Sequence, residues 1–86
     1  MLYAILFVDD PAKRSVREAQ MKSHLEFLAR HNDVILAAGS LREDASGNPT
    51  GGLWIVDVPD RAVAEALYLA DPFRTEGLRS SVEIRH

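Results

Sequence analysis

The feature that most constrains the fold is the first apolar run of the chain, Tyr3 to Val8. Alternate side chains of this run form two sets, and both sets are apolar. A half-buried strand would alternate apolar with polar side chains, whereas a run of this kind is typical of a strand buried on both faces. The chain therefore has to place this strand inside a sheet and cover both faces of that sheet.

The rest of the chain divides into two helices and three further strands. The first helix has two candidate starts: a capping box from Ser15 to Glu18, and Asp10 before Pro11. The second helix is predicted to begin after an Asp60 N-cap and to run to about Ala70. The further strands are predicted at Val34–Ala38, Leu53–Val56 and Ser81–Arg85, with a turn-rich segment from Arg42 to Pro49 and a short turn from Pro72 to Gly77.

This β-α-β-β-α-β order predicts a single ferredoxin-like α+β domain over residues 1–86, with a four-stranded antiparallel sheet. The first and third strands are central in that topology, and the two helices cover one face of the sheet. The second face of the first strand then needs a cover that the chain itself does not supply. We therefore expect a homodimer that packs through the sheet face, because a monomer would expose a large apolar surface.

Composition narrows the class of protein. The chain has no cysteine, which excludes disulfides, thiol nucleophiles and thiolate metal sites. Its net charge of −3 argues against nucleic-acid binding, and Trp54 alone is too few stacking aromatics for an RNA-recognition motif. No run is long enough to span a membrane, and the first residues do not resemble a secretory signal. A cytoplasmic protein with no membrane partner is the expectation.

The second helix ends in an unusual way. Asp71 lies four residues after Leu67, on the apolar face, and Pro72 then stops the helix and biases Asp71 away from helical geometry. A carboxylate aimed inward needs a donor, and His24 lies within the apolar stripe of the other helix. Two other interpretations stay open: Asp71 as an exposed helix terminator, and His24 as a core histidine bonded to backbone.

If His24 and Asp71 pair, the carboxylate orients the imidazole for general acid/base chemistry. Ser40 is the one candidate for a nucleophilic hydroxyl, but it lacks the G-x-S-x-G context of an activated serine. A hydrogen bond to ligand or a cap at the strand end is the better interpretation of Ser40. Arg14, Arg17 and Arg42 are candidates for holding an anionic substrate, with solvated surface charge as the alternative. No metal site is predicted, since two helical turns, about 10.5 Å, separate His24 from His31.

The sequence also resembles the YciI-like (YCII) family of small α+β proteins. The resemblance rests on the opening strand, on His24-Leu25, and on three further motifs: Ala38-Gly39-Ser40-Leu41, Gly52-Leu53, and Ala70-Asp71-Pro72-Phe73 with Gly77-Leu78. It implies a dimeric α+β barrel with a paired His and Asp in a pocket, which fall on His24 and Asp71.

Two departures concern the substrate more than the fold: Met21-Lys22 stands where relatives often carry an arginine, and Ser40 stands where proline is frequent. Within the matching motifs we predict substrate contacts at Gly39, Ser40, Pro72 and Phe73. Arg42, two residues after Ser40, is a fifth predicted contact.

Two functions follow. The first is a small-molecule enzyme without a cofactor, a lyase, isomerase or dehalogenase-like enzyme with a His24/Asp71 dyad that acts on an aromatic, quinone-like or lactone-like substrate. The second is a non-catalytic ligand-binding or regulatory module that uses the same pocket. They differ in whether His24→Ala abolishes turnover or only weakens binding.

Overall fold

A computed structural model describes residues 1–44 and 47–86. Its strands are β1 (Leu2–Asp9), β2 (Ile35–Arg42), β3 (Pro49–Asp57) and β4 (Arg79–Arg85). Its helices are α1 (Arg14–Arg30), α2 (Arg61–Leu69) and the single turn α3 (Pro72–Thr75), and a 3₁₀ turn at Pro11–Lys13 precedes α1. Ser46, part of the predicted loop before β3, lies outside the described residues.

The four strands form one antiparallel sheet in the order β2-β3-β1-β4. The predicted α+β ferredoxin-like fold is confirmed, with β1 and β3 in the centre. The Asp60 N-cap of α2 is also present, since its carboxylate accepts a hydrogen bond of 3.0 Å from the Val63 N–H. Both central strands contain an uninterrupted apolar run, Tyr3 to Val8 in β1 and Leu53 to Val56 in β3.

The core lies between the helices and one face of the sheet. β1 contributes Tyr3, Ile5 and Phe7, all of them buried, and β3 contributes Trp54 and Val56. Phe27 of α1 and Ala64 of α2 pack against this face. Trp54 and Tyr3 are therefore core residues.

The opposite face of the sheet is uncovered in the single chain. Leu2 is 55% exposed and Val8 is 52% exposed, and their neighbours Ala4 and Leu6 are only half-buried. In one copy of the chain β1 is thus buried on one face only, and burial of its second face by another copy stays a prediction. The two alternating apolar sets of β1 remain distinct: one forms the core, and the other forms an apolar surface.

Two predicted boundaries are wrong. The capping box at Ser15 does not form, because Asp10 caps the 3₁₀ turn with a 2.9 Å hydrogen bond from Ala12 N–H, and that turn continues directly into α1. β2 does not end at Gly39-Ser40 but continues to Arg42, because this strand stays paired with β3 from Ile35 onward.

Among the helices of the described residues, none combines the length and apolar character needed to cross a bilayer.

Candidate active site

His24 of α1 and Asp71, between α2 and α3, meet inside the fold. Nδ1 of His24 lies 2.8 Å from Oδ1 of Asp71. Asp71 is fully buried, and His24 is 8% exposed. The two residues are 47 positions apart in the chain, so only the packing of α1 against the α2–α3 corner brings them together.

Pro72 explains the position of Asp71. The backbone of Asp71 is extended, with φ −68° and ψ 132°, as expected for a residue before proline. Asp71 then caps α3, and its Oδ1 accepts a 3.3 Å hydrogen bond from the Phe73 N–H. From the sequence, Asp71 lies only at the C-terminal end of α2, where the negative end of the helix dipole disfavours a carboxylate. The structure places it at a helix start as well, where a carboxylate is a favourable cap.

An aromatic ring packs against the imidazole of His24. The Phe73 ring is stacked on it with a centroid distance of 3.9 Å and an interplanar angle of 10°. Because an ionised carboxylate only accepts hydrogen bonds, Nδ1 of a neutral His24 carries the proton and Nε2 presents its lone pair. Within residues 1–44 and 47–86, Nε2 has no hydrogen-bond partner, and Asp71 Oδ2 has none either.

A pocket of about 210 Å³ adjoins His24, between α1, β2, β3 and α3. Its lining includes four of the five predicted substrate contacts, Gly39, Ser40, Arg42 and Phe73. Pro72 is not part of the lining: it opens α3, and the next residue, Phe73, reaches the pocket.

A second buried carboxylate lies beside the same pocket. Asp9, at the end of β1, binds two arginines, with Oδ2 at 2.6 Å from Arg17 Nη2 and Oδ1 at 2.6 Å from Arg79 Nη1. The Arg17 side chain is 13% exposed and that of Arg79 only 2% exposed. Solvated surface charge is therefore the wrong interpretation of Arg17. Arg14, by contrast, is exposed and does not line the pocket.

Asp9 and Arg79 were not predicted as site residues. The inward positions of β1 (3, 5 and 7) continue to Asp9, but its place beside Asp10-Pro11 favours a loop. Arg79 could not be found by alternation, because a register shift between Val8 and Asp9 pairs Asp9 with Arg79. Strict alternation from Ile84 and Val82 would turn Ser80 inward instead. A bulge of this kind redirects a side chain at the end of a strand.

Arg79 is a desolvated cation. Burial lowers the pKa of its guanidinium, because the charged form loses hydration, and the neighbouring Asp9 carboxylate partly opposes this effect. Two aromatic faces also stabilise the charge: the guanidinium carbon lies 4.5 Å from the Phe7 centroid and 5.1 Å from the Phe73 centroid. Its Nε has no hydrogen-bond partner in the described part of the chain.

This arrangement suits proton transfer better than other chemistries. The described residues contain no group of three side chains able to hold a metal ion. Ser40 Oγ accepts a 3.4 Å hydrogen bond from Arg42 Nε. An activated serine would instead need a hydrogen bond to an imidazole base. An oriented imidazole with a free nitrogen, at the wall of a pocket, is the geometry of a general acid/base.

The fold is shared with solved structures. The 5-chloro-2-hydroxyhydroquinone dehydrochlorinase from Burkholderia phenoliruptrix AC1100, in complex with 2,5-dihydroxybenzoquinone, superposes with a TM-score of 0.90 at 23% identity, over 100% of this chain and 92% of that chain. An antibiotic biosynthesis monooxygenase superposes with a TM-score of 0.52 at 19% identity, over 100% and 97% of the two chains.

No curated protein sequence matches the chain. At the level of sequence families, the model of the YCII-related domain matches residues 1–86, which confirms the resemblance seen in the motifs. The chain belongs to the YCII-related domain family.

Proposed function

We propose that this protein is a small-molecule enzyme in which His24 is the general acid/base and Asp71 orients it. The observation that carries the proposal is the 2.8 Å contact between Nδ1 and a fully buried carboxylate. Asp71 holds the tautomer with the proton on Nδ1 and stabilises the imidazolium that forms when Nε2 accepts a proton from substrate. The stacked Phe73 ring limits rotation of the imidazole.

The proposed substrate class is a small aromatic, quinone-like or lactone-like compound, converted without a cofactor in a lyase, isomerase or dehalogenase-like reaction. Trp54 and Phe73 give the pocket aromatic walls that suit a flat ring. The similar fold of a dehydrochlorinase complexed with a quinone supports the same class, as an analogy between folds.

Turnover of a panel of hydroxyquinones, chlorinated hydroquinones and lactones tests this proposal. The parent protein should convert at least one member, and His24→Gln should lower kcat by about 10²–10⁴-fold, the usual contribution of a general acid/base. His31→Gln is the matched control, because His31 packs on Phe27 and does not line this pocket. Binding without turnover in the parent would instead favour the ligand-binding module.

We further propose that residues 1–86 act as one domain in a homodimer, with the uncovered sheet face as the interface. Exposed Leu2, Val8 and Leu41 and half-buried Leu6 support this arrangement. Sedimentation equilibrium at micromolar concentration should give twice the 9.5 kDa mass of the chain. Leu6→Glu should give a folded monomer, and a parent that sediments as a monomer would contradict the proposal.

A further inference from the structure

The charges that face the pocket are unbalanced. Three arginines, Arg17, Arg42 and Arg79, belong to its lining, and no aspartate or glutamate of the described residues does. The two carboxylates of the site lie outside that lining: Asp9 contacts Arg17 and Arg79, and Asp71 contacts His24. A pocket wall of this charge is unexpected in a chain whose net charge is −3.

Two of these arginines are fixed in place with N–H groups to spare. Asp9 holds Arg17 and Arg79 through one terminal nitrogen each, and Arg17 Nη2 also donates to the Gly51 carbonyl at 3.3 Å. The Arg79 side chain is 2% exposed, and its Nε has no partner in the described part of the chain. A guanidinium offers five N–H donors, so both arginines retain donors for another acceptor.

Gly52 makes room for this arrangement. A Cβ at this position would lie 3.3 Å from Arg79 Nη2, tighter than most Cβ contacts, and 3.4 Å from Arg79 Nη1. The guanidinium of Arg79 therefore packs closely against the β3 backbone at Gly52. Preorganised charged donors of this kind bind anions more strongly than flexible surface arginines do.

We propose that Arg17 and Arg79 form an anion subsite in this pocket, and that the substrate is a small planar molecule with an ionised oxygen on a conjugated ring. The inference rests on the proposed function, because it describes the substrate of the same site. The oxygen binds the two guanidinium groups, and the ring lies between the aromatic walls with a proton-bearing atom toward His24.

Phe73 links the two halves of the pocket. Its ring stacks on His24 at 3.9 Å, and the guanidinium carbons of Arg17 and Arg79 lie 5.3 Å and 5.1 Å from its centroid. Because the base and both cations lie against one phenyl ring, a single aromatic ligand reaches all of them. The bound anion also compensates the buried charge of Arg79.

Three probes test the subsite at constant ionic strength: benzoate, its neutral analogue benzamide, and 4-nitrophenolate. Binding is followed by the NMR shifts of the Trp54 indole N–H and the His24 ring. Benzoate should bind at least about tenfold more tightly than benzamide, the usual advantage of a charged hydrogen bond. A comparison of benzoate with 4-nitrophenolate shows whether a carboxylate or a phenolate fits better.

Arginine variants identify which side chains cause the preference for benzoate. Arg17→Gln and Arg79→Gln should each lose most of the preference for benzoate, whereas Arg74→Gln, the same change at an exposed arginine outside the lining, should keep it. Arg79→Lys retains the charge without the planar fork and should show an intermediate preference, which gives a second measurement if Arg79→Gln does not fold.

His24→Gln separates this inference from the proposed function. It should lower kcat as stated above and retain the preference for benzoate, because the anion binds the arginines and not the imidazole. The subsite is overturned if benzamide binds as well as benzoate, if neither anion binds the parent, or if the preference survives both arginine variants and disappears with His24→Gln. A retained preference in a parent protein without any turnover overturns only the acid/base function.

Discussion

Two carboxylates lie beside one pocket, and they are satisfied in different ways. Both oxygens of Asp9 bind a guanidinium at 2.6 Å. Asp71 uses only Oδ1, which accepts from His24 and from the Phe73 N–H, and its Oδ2 has no partner among the described residues. Asp71 is nevertheless the more deeply buried of the two, with 1% side-chain exposure against 8% for Asp9.

The difference separates a structural ion cluster from the pair that we propose for proton transfer. A buried carboxylate with both oxygens bound to cations connects β1, α1 and β4, and its loss leaves two charges uncompensated. A buried carboxylate with an unpaired oxygen contributes less to stability than its burial costs, so stability does not explain its presence. The comparison therefore predicts opposite responses to substitution at the two sites.

The largest expected effect is at Asp9. Asp9→Ala leaves the guanidinium groups of Arg17 and Arg79 without a counter-ion, and we expect the free energy of unfolding to fall by about 3–5 kcal/mol. Urea denaturation measures this. Asp57→Ala is the control, because Asp57 pairs with the N-terminal amine at 56% side-chain exposure and should cost less than about 1 kcal/mol. A loss at Asp9 as small as that of the control would mean that the cluster contributes little to stability.

A smaller effect is expected when the proton-transfer pair is replaced as a whole. In His24→Leu with Asp71→Leu, the loss of the α3 cap, about 1 kcal/mol, is offset by removal of the unpaired carboxylate oxygen. The double variant should melt within a few degrees of the parent, although turnover is lost. Thermal melts decide this, and a loss of several kcal/mol would show that the pair mainly ties α1 to the α2–α3 corner.

The smallest change in stability is expected for Asp71→Asn. Oδ1 of Asp71 accepts from both His24 Nδ1 and the Phe73 N–H, so an amide oxygen in that position keeps both hydrogen bonds. The neutral imidazole should therefore stay protonated on Nδ1, whereas the negative charge that stabilises the imidazolium is lost and kcat should fall. The ¹⁵N shifts of the imidazole ring report the tautomer, and turnover reports the loss of charge. Asp57→Asn, at an exposed ion pair, is the control and should keep the kcat of the parent. A parent-like kcat in Asp71→Asn would show that the charge of Asp71 is not used.

Much of the architecture was predictable from local patterns. The β-α-β-β-α-β order identified β1 and β3 as the central strands, and Asp60 marked the start of α2. The prediction failed at Ser15, where the capping box competed with the Asp10 turn directly upstream and lost. It also failed at the end of β2, because Gly39 and Ser40 stay in the ladder with Leu53 and Gly52, although the sequence marks a turn there.

The sequence alone determined one half of the site. Pro72 bends the chain at Asp71, and helical spacing puts His24 in an apolar stripe, so both residues face inward for local reasons. The other half was decided by tertiary structure. The bulge opposite Asp9 turns Arg79 inward against simple alternation. The close approach of Arg17, Arg79 and Asp9 depends on the pairing of β4 with β1 and on the packing of α1 beside the end of β1. Local periodicity encodes the direction of a side chain within its own element, whereas a register shift between strands exists only once the strands have paired.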